Sequence, residues 1–364
     1  MRDSLDRFGV GLFVPGLFGP ENRPLPDRDV VSEAHDVMFT EALLGEEVGF
    51  EGLFVGEQHM RTECLFPDLF LLLGMLAVRT TRVRLATFCN VVTLWDPMHV
   101  AETTALIDQV SRGRLTYSPG MGYHPGYFQM FGVDEKTRLS RFKESIEVIK
   151  TAWTSREPFS FSGQHFNYSD VRLTPQPYQE PHPTIWGAGQ SDAAIRRSGT
   201  YATGWCGDPF PLHAETFRRQ TGAFRETAAA HGVENPKVIL MRNGFVAETR
   251  KEAEDIYGQF YVDEMRFYYD YGIFSHDPRI QSRDDVNVDN LRSTLVIGTP
   301  EDCAESLEYF RDTYDVDYIV MRFRMNDGPD PQRSYDCIRM FGEEVLPRIG
   351  ASAAAPTSDN RPAS

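Results

Sequence analysis

The chain is poor in cysteine and in positive charge, and it has no long apolar run. Its five cysteines are odd in number, widely spaced and without a CxxC pair, which argues against a disulfide framework or a zinc site and favours a reducing compartment. Lys and Arg number 37 against 53 Asp and Glu, which argues against nucleic-acid binding because phosphate contacts need clustered cations. We find no signal peptide and no span of about 18 apolar residues, so we expect a soluble, cytoplasmic protein with no membrane segment.

Two familiar motifs are missing as well. The first apolar run is followed by the segment 14–19 without a GxGxxG pattern, which disfavours an open, doubly wound sheet with a dinucleotide site. The histidines show no HExxH spacing, and there is no paired carboxylate motif. We therefore expect no metal centre.

Short β-type runs alternate with longer helical patterns along almost the whole chain. The runs predicted as strands are Phe8–Phe13, Glu51–Val55, Val83–Cys89, Leu115–Ser118, Thr184–Gly187, Ala202–Cys206, Val238–Val246 and Tyr318–Met321. Eight strands that are each followed by a helix predict an α/β protein with a single (β/α)8 TIM barrel. We expect this domain to cover residues 1–350, with a disordered Ala/Ser/Pro-rich tail at 351–364.

Two segments interrupt the alternation and are predicted as excursions from the barrel. Phe159–Pro183, after strand four, has short extended pieces and is compatible with a hairpin. Tyr257–Asn290, after strand seven, is long and rich in aromatic residues. Long excursions in barrels often cover the site, but the aromatic side chains fit core packing at least as well as a roof over a substrate.

Polar residues follow three of the predicted strands. They are Glu57, Gln58 and His59 after strand two, Asn90 after strand three, and the segment SPGMGYH at Ser118–His124 after strand four. Because the carboxyl ends of barrel strands meet at one face, we expect these residues to share a catalytic face. The alternatives are that Glu57 and His59 orient loops, that Asn90 simply ends a strand, and that the two glycines form a tight turn.

Strand five is followed by Gly187–Ser191, a glycine turn that opens a helix. Free backbone N–H groups, the positive helix end and the Ser191 hydroxyl together suit a phosphate. Arg141 is available as the counter-charge. The alternatives are a turn in which Ser191 only caps the helix, and an arginine that lies in solvent.

Taken in order and spacing, these segments resemble the bacterial-luciferase-like flavin-dependent monooxygenase family. The resemblance runs from about Phe8 to Ile349 and rests on GEEVGFEGLFVGEQH, RVRLATFCNVVTLWDPMHVAETTALIDQVSRGRL, SPGMGYHPGYFQMFGV, SRFKESIEVIKTAW, PTIWGAGQSDAAIRRSGTYATGWC and IGTPEDC. It implies a barrel that binds reduced FMN (FMNH2) delivered by a separate flavin reductase. It also implies that O2 adds to the flavin to give a peroxyflavin, which oxygenates a small organic molecule. Because members often dimerise, a homodimer is expected.

The resemblance also assigns residues to the cofactor. It places Phe88, Cys89 and Asn90 along the flavin ring, Gly120, Met121 and Tyr123 near the ring and phosphate, and Arg141, Gln190 and Ser191 at the phosphate. These assignments are carried over by matching motifs.

Two positions depart from the luciferase pattern. Gln58 stands where luciferase has a catalytic histidine, and Met121 stands where it has an arginine that contacts the phosphate. Since glutamine cannot exchange a proton near neutral pH, we expect His59 or His124 to take that role if it persists.

The sequence therefore predicts a monooxygenase that uses reduced FMN and O2 on an apolar or aromatic organic substrate, by hydroxylation or Baeyer–Villiger insertion. Two alternatives stay open. One is a deazaflavin-dependent oxidoreductase with the same fold, and the other is a catalytically inactive luciferase-like flavoprotein or subunit.

Overall fold

The computed structural model describes residues 8–19, 24–207, 213–270, 272, 274 and 279–351. The predicted disordered tail therefore lies outside the described residues apart from Ala351, as does Tyr271 of the aromatic excursion. The tail stays a prediction.

Within these ranges, eight parallel strands form a closed barrel. They are β1 (Gly9–Phe13), β2 (Gly52–Val55), β3 (Arg84–Thr87), β4 (Leu115–Tyr117), β5 (Thr184–Ala188), β6 (Gly204–Gly207), β7 (Lys237–Val246) and β8 (Tyr318–Arg322). Each strand pairs with its neighbour in sequence, and β8 pairs with both β7 and β1, which closes the ring. The predicted α/β class and (β/α)8 barrel are confirmed.

Helices surround the barrel and connect its strands. They are α1 (Arg28–Glu47), α2 (Leu69–Arg79), α3 (Pro97–Ser111), α4 (Pro125–Met130), α5 (Arg138–Thr154), α6 (Asp192–Ser198), α7 (Ala214–Ala230), α8 (Arg250–Asp270), α9 (Val288–Leu291), α10 (Pro300–Tyr314) and α11 (Pro331–Met340). Several begin at caps that the sequence shows. Asp96 accepts two backbone N–H bonds in front of Pro97, and Thr299 forms a capping box with Asp302.

The barrel interior is filled by side chains that point inward from alternate strand positions. Phe54, Trp186 and Tyr318 form its aromatic centre, with ring centroids 5.6 to 5.8 Å apart. Phe13 and Phe88 pack on this cluster at the carboxyl ends of β1 and β3. The interior is therefore a packed apolar core with an aromatic upper layer.

Strand three is shorter than predicted and ends at Thr87. The chain then passes through a cis peptide bond between Phe88 and Cys89. Asn90–Val91 next pairs with Pro119–Gly120 in a second, two-stranded ladder. This ladder brings the polar end of strand three beside the glycine-containing segment after strand four.

Both predicted excursions are present. After β4 and α5, Phe159–Ser162 and Asn167–Val171 form an antiparallel hairpin, and the Glu144 carboxylate accepts backbone N–H bonds from three residues of its turn, Gln164, His165 and Phe166. After β7, the chain runs through α8 and α9 to a short strand, Val296–Gly298, that extends the pairing of β7.

The requirements of a membrane-spanning helix and of a metal site are not met in the described ranges. No helix in the described ranges is long and apolar enough to cross a membrane. In the same ranges, no group of three or more His, Cys, Asp or Glu side chains is arranged to hold a metal ion.

Phe54 should be one of the costliest side chains to truncate. It is fully buried and contacts Trp186, Tyr318 and Phe88. We expect Phe54→Ala to lower the free energy of unfolding by about 3–5 kcal/mol, measured by urea denaturation. The control Leu139→Ala, at a side chain exposed on α5, should cost about 0.5 kcal/mol or less. Equal effects of the two variants would contradict the packed interior.

Candidate active site

The buried carboxylate of Glu57 organises the carboxyl ends of β2 and β3. Its Oε1 accepts hydrogen bonds from His59 Nε2 at 2.8 Å and Trp95 Nε1 at 2.9 Å. Its Oε2 accepts from Asn90 Nδ2 at 2.8 Å and from the Val91 backbone N–H at 2.7 Å. Burying a carboxylate is costly unless its oxygens are hydrogen-bonded. These bonds meet that requirement and tie two barrel loops together.

Asn90 belongs to this network. Its side chain is fully buried, with Nδ2 donating to Glu57 and Oδ1 accepting from Tyr117 Oη at 2.9 Å. Burial raises the pKa of Tyr117 well above its ordinary value, so the phenol stays a donor. The amide therefore holds the end of strand three in place. The contact of Asn90 with a flavin ring stays a prediction.

His59, one of the predicted proton carriers, is also held inside the protein. Because the carboxylate of Glu57 only accepts hydrogen bonds, the proton of His59 is on Nε2 and points at Glu57. The ring meets the edges or faces of Tyr127 and Phe131, with centroids 5.3 and 4.9 Å away. This geometry suits a positioning residue better than a group that exchanges protons with a ligand.

His124, the second candidate, is only partly buried. Its Nδ1 accepts the Gly126 backbone N–H at 3.1 Å and so caps α4. The neutral ring therefore has its proton on Nε2, which makes that nitrogen a donor. The ring stacks on Tyr127 with centroids 4.6 Å apart. Of the two histidines, His124 is the one with a partly accessible ring.

Gln58 is linked to these two histidines through Tyr127, whose ring contacts both of them. Its side-chain Oε1 accepts a hydrogen bond from Tyr127 Oη at 2.8 Å, and its backbone oxygen accepts from the Cys64 thiol at 2.9 Å. Burial raises the pKa of Cys64 to about 11, so the thiol stays protonated. The residue is half-buried and held at both its backbone and its side chain.

The glycines after strand four serve the second ladder. Gly122 has φ +75°, and a Cβ there would lie 2.6 Å from Val91 Cγ1. A Cβ on Gly120 would lie 3.0 Å from Cys89 Sγ. The close approach that the glycines allow is thus an approach to the end of strand three. Tyr123, next in the chain, has an exposed side chain.

Two arginines converge on Met121. Arg141 Nε donates to the Thr93 backbone oxygen at 3.1 Å, and Thr93 Oγ1 donates to the Met121 backbone oxygen at 2.9 Å. Arg197 contacts the Met121 side chain, with Nη2 3.6 Å from Sδ. Positive charge therefore surrounds the position where the luciferase motif has an arginine.

These two guanidinium groups rest on aromatic rings. Arg141 lies 4.7 Å from the centroid of Phe166, in the hairpin, and Arg197 lies 5.6 Å from that of Phe142. Burial lowers the pKa of Arg141 below its ordinary value. Neither arginine forms an ion pair with a carboxylate among the described residues, although a partly buried cation favours one. The arrangement leaves room for an external anion.

The other residues assigned to the phosphate are exposed. Ser191 Oγ accepts the Ala194 backbone N–H at 3.2 Å and caps α6, which was one of the two roles open for it. Within the described ranges its hydroxyl proton has no acceptor, so it can still be donated. The Gln190 backbone oxygen accepts from Gln220 at 3.1 Å, while the Gln190 side chain lies in solvent.

The aromatic residues of the excursion after β7 were compatible with core packing or with a roof over a substrate. Different parts of α8 differ in this respect. Tyr257 and Tyr261, on the buried face of α8, belong to the core. Further along α8, Phe267 lies 5.1 Å from the Arg61 guanidinium of the β2 loop. Burial raises the pKa of Tyr268, and the charge of Glu264 on the same helix raises it further. The end of α8 thus lies beside the loop after β2. The region above the barrel that these segments and the loops after β3 and β4 border is called the cleft, and the end of α8 is its wall.

A buried ion pair anchors that wall. The Arg322 guanidinium at the end of β8 binds the Glu264 carboxylate through two bonds of 2.6 and 3.0 Å. Arg322 also lies 5.9 Å from the ring centroid of Phe13. Paired and hydrogen-bonded in this way, two charges are tolerated in the interior. They fix α8 against the aromatic upper layer of the barrel.

Some residues of the cleft were missing from the sequence prediction. They are Trp95, Tyr117, Tyr127, Arg197, Glu264 and Arg322. Tyr127 had a usable signal, since it follows His124 by three residues in a short helix that begins at Pro125. The others lie far along the chain from their partners, and only the fold brings them together.

The comparisons with known proteins agree with this architecture. The profile of the family described as Luciferase-like monooxygenase matches residues 22–316. The oxygenase component of the flavin-dependent trigonelline monooxygenase of Acinetobacter baylyi is 24% identical over 344 residues, which cover 90% of this chain and 93% of that protein.

Two solved structures share the fold over almost their whole length. Monooxygenase RslO1 from Streptomyces bottropensis superposes with a TM-score of 0.79 at 23% identity, covering 93% of this chain and 99% of that one. The oxygenating constituent of 3,6-diketocamphane monooxygenase from Pseudomonas putida, solved with FMN, superposes with a TM-score of 0.78 at 18% identity, covering 94% and 99%. Since the family profile spans most of the sequence, this chain belongs to the luciferase-like monooxygenase family.

Proposed function

We propose that the protein is the oxygenase component of a two-component system, which uses reduced FMN and O2 to oxygenate an apolar or aromatic organic substrate. A separate flavin reductase would supply the reduced flavin. The observation that supports FMN most directly is the pair of arginines near Met121, Arg141 and Arg197, which form no ion pair with a carboxylate of the described residues. Five free cysteines fit the reducing cytoplasm that we propose as its location.

The donor set around Met121 fits a phosphate monoester. Guanidinium groups bind phosphate oxygens through pairs of N–H donors. In the described part of the chain, both arginines keep N–H groups without a hydrogen-bond partner, and the Ser191 hydroxyl at the start of α6 would add a neutral donor. Phosphate recognition would then use Arg197 in place of the arginine that is missing at position 121. The predicted roles of Arg141, Gln190 and Ser191 belong to this proposal.

The remaining residues would shape the space for the ring and the substrate. Bound reduced flavin, together with O2, supplies the oxygen-transferring chemistry. Phe13 and Phe88 close the bottom of the cleft and exclude water, which limits side reactions. The Glu57 network holds the Asn90 side chain and the Val91 backbone, which directly follow Phe88 and Cys89 in the chain. His124 offers Nε2–H as the proton donor.

The function is tested by the reaction of the flavin with O2. We expect reduced FMN bound to the protein to be reoxidised more slowly than free reduced FMN in stopped-flow absorbance, and to release less hydrogen peroxide when an oxidisable substrate is present. Equal reoxidation rates with and without the protein would contradict the proposal. Tight anaerobic binding of a reduced deazaflavin with no binding of reduced FMN would instead favour the oxidoreductase alternative.

Arg197→Ala tests the phosphate assignment. A hydrogen bond to a charged group contributes about 1.5–3 kcal/mol, so we expect FMN to bind about 10- to 100-fold more weakly to the variant. Riboflavin, which has no phosphate, should bind as it does to the unmodified protein.

The matched control is Arg196→Ala. Arg196 is the preceding residue of α6, but its side chain is exposed and lies 3.8 Å from Glu226. The control should leave both dissociation constants unchanged in fluorescence titrations. A parallel loss of FMN and riboflavin binding in Arg197→Ala would indicate a structural role and contradict phosphate recognition.

We also propose a homodimer that forms through the outer face of α2 and α3. Leu71, Val78, Leu106 and Val110 are 46% to 66% exposed there, around a groove of about 470 Å³. A Cβ on Gly74 would meet nothing within 4 Å, so the face is open for close helix approach. Contiguous exposed apolar surface of this kind is typical of an interface.

Leu106→Glu should convert this dimer into a monomer. The substitution places a charge in an interface that would exclude water, so light scattering should report 41.4 kDa in place of twice that mass. Leu25→Glu, at a leucine that is 83% exposed outside this face, is the control and should leave the mass unchanged. A monomeric unmodified protein would contradict the interface.

A further inference from the structure

The hydrogen bond from Tyr127 determines which end of the Gln58 amide is free. Tyr127 Oη lies 2.8 Å from Gln58 Oε1. The backbone N–H of His59 interacts with the same phenol oxygen and lowers the pKa of Tyr127, against the larger effect of burial that raises it to about 12. Because an amide oxygen can only accept, the single proton of the phenol is given to Gln58 Oε1.

Tyr127 is fixed well enough to impose this orientation. Its side chain is 2% exposed, and its ring lies between two histidines. His59 meets it at an interplanar angle of 89°, and His124 stacks on its face at 18°. A ring held on two sides keeps its hydroxyl oxygen in place beside the Gln58 amide.

The amide nitrogen of Gln58 is the polar group of this side chain left without a partner among the described residues. The backbone of Gln58 is tied to Cys64, and Oε1 is used by Tyr127. In the part of the chain that the structure describes, Gln58 Nε2 has no hydrogen-bond partner, and the residue is half-buried at the carboxyl end of β2. An amide NH2 group can only donate.

We propose that Gln58 is a permanent hydrogen-bond donor in the cleft, oriented by Tyr127 as a positioning residue, and that it binds an acceptor oxygen of the substrate. The substrate class is therefore an apolar or aromatic molecule with a carbonyl oxygen. This inference rests on the proposed function for the position of the cleft. A site built to donate to such an oxygen disfavours the analogue without it, because the amide would lose its water and gain no partner.

A matched pair of compounds tests the inference without flavin or turnover. Acetophenone has a carbonyl group where ethylbenzene has CH2, and binding of each to the protein is measured by NMR titration. We expect acetophenone to bind at least tenfold more tightly than ethylbenzene. Gln58→Glu keeps the shape and the acceptor for Tyr127 but removes the donor, so it should abolish this preference.

Two further variants separate orientation from structure. Tyr127→Phe keeps the ring between the histidines and removes only the hydroxyl, so it should reduce the preference by releasing the amide while ethylbenzene binding stays unchanged. Gln58→Asn retains an NH2 donor on a shorter side chain and should keep more of the preference than Gln58→Glu does.

The inference is overturned if the unmodified protein binds both compounds equally or binds neither, or if Gln58→Glu keeps the preference. Failure of the proposed function has a different signature. In that case reduced FMN does not bind, while the preference for acetophenone and its loss in Gln58→Glu are unaffected.

Discussion

A single buried carboxylate fixes the arrangement of the cleft. Glu57 receives hydrogen bonds from a histidine of its own loop, a tryptophan and an asparagine after strand three, and one backbone N–H. An unpaired carboxylate in that position would cost several kcal/mol. The loops after β2 and β3 must therefore keep the geometry that satisfies it. Residues that look catalytic in the sequence, His59 and Asn90, are held in this way.

The groups that position the loops of the cleft therefore differ from the groups that are available to bind a ligand. The Glu57 network is rigid and internally satisfied, so it positions groups and has little free capacity to bind a ligand. The groups available to bind a ligand surround this network. They are the Gln58 amide, the His124 ring and the two arginines beside Met121. Those arginines rest on Phe166 and Phe142, which stabilises the charges while leaving N–H groups available. Binding groups of this kind are expected around a rigid scaffold.

The barrel could be predicted because its signals are local. Alternating apolar runs and helical patterns, the Asp96–Pro97 start of α3 and the Thr299–Pro300 start of α10 each depend on a few neighbouring residues. The extent of strand three could not be predicted, because the apolar run continues past Thr87 while the backbone leaves the barrel to pair with Pro119–Gly120. Periodicity does not report such a change of partner.

The site was predicted less completely for a related reason. The polar strand ends were found, but the hydrogen-bond partners that join one strand end to another lie 27 to 69 residues away in sequence. Arg197 is one of two consecutive arginines on a short helix, and the sequence does not distinguish it from Arg196, which lies at the surface. The glycines after strand four admit Val91 and Cys89, a contact between two loops that the sequence does not show.

A crystal structure with FMN bound tests the central claim most directly. The claim is that Glu57 and its partners are a fixed scaffold beside a phosphate site formed by Arg141 and Arg197. The structure should show the phosphate between these two guanidinium groups, with all hydrogen bonds to Glu57 preserved. A phosphate bound elsewhere, or a Glu57 carboxylate that leaves His59 and Asn90 to contact the flavin, would contradict it.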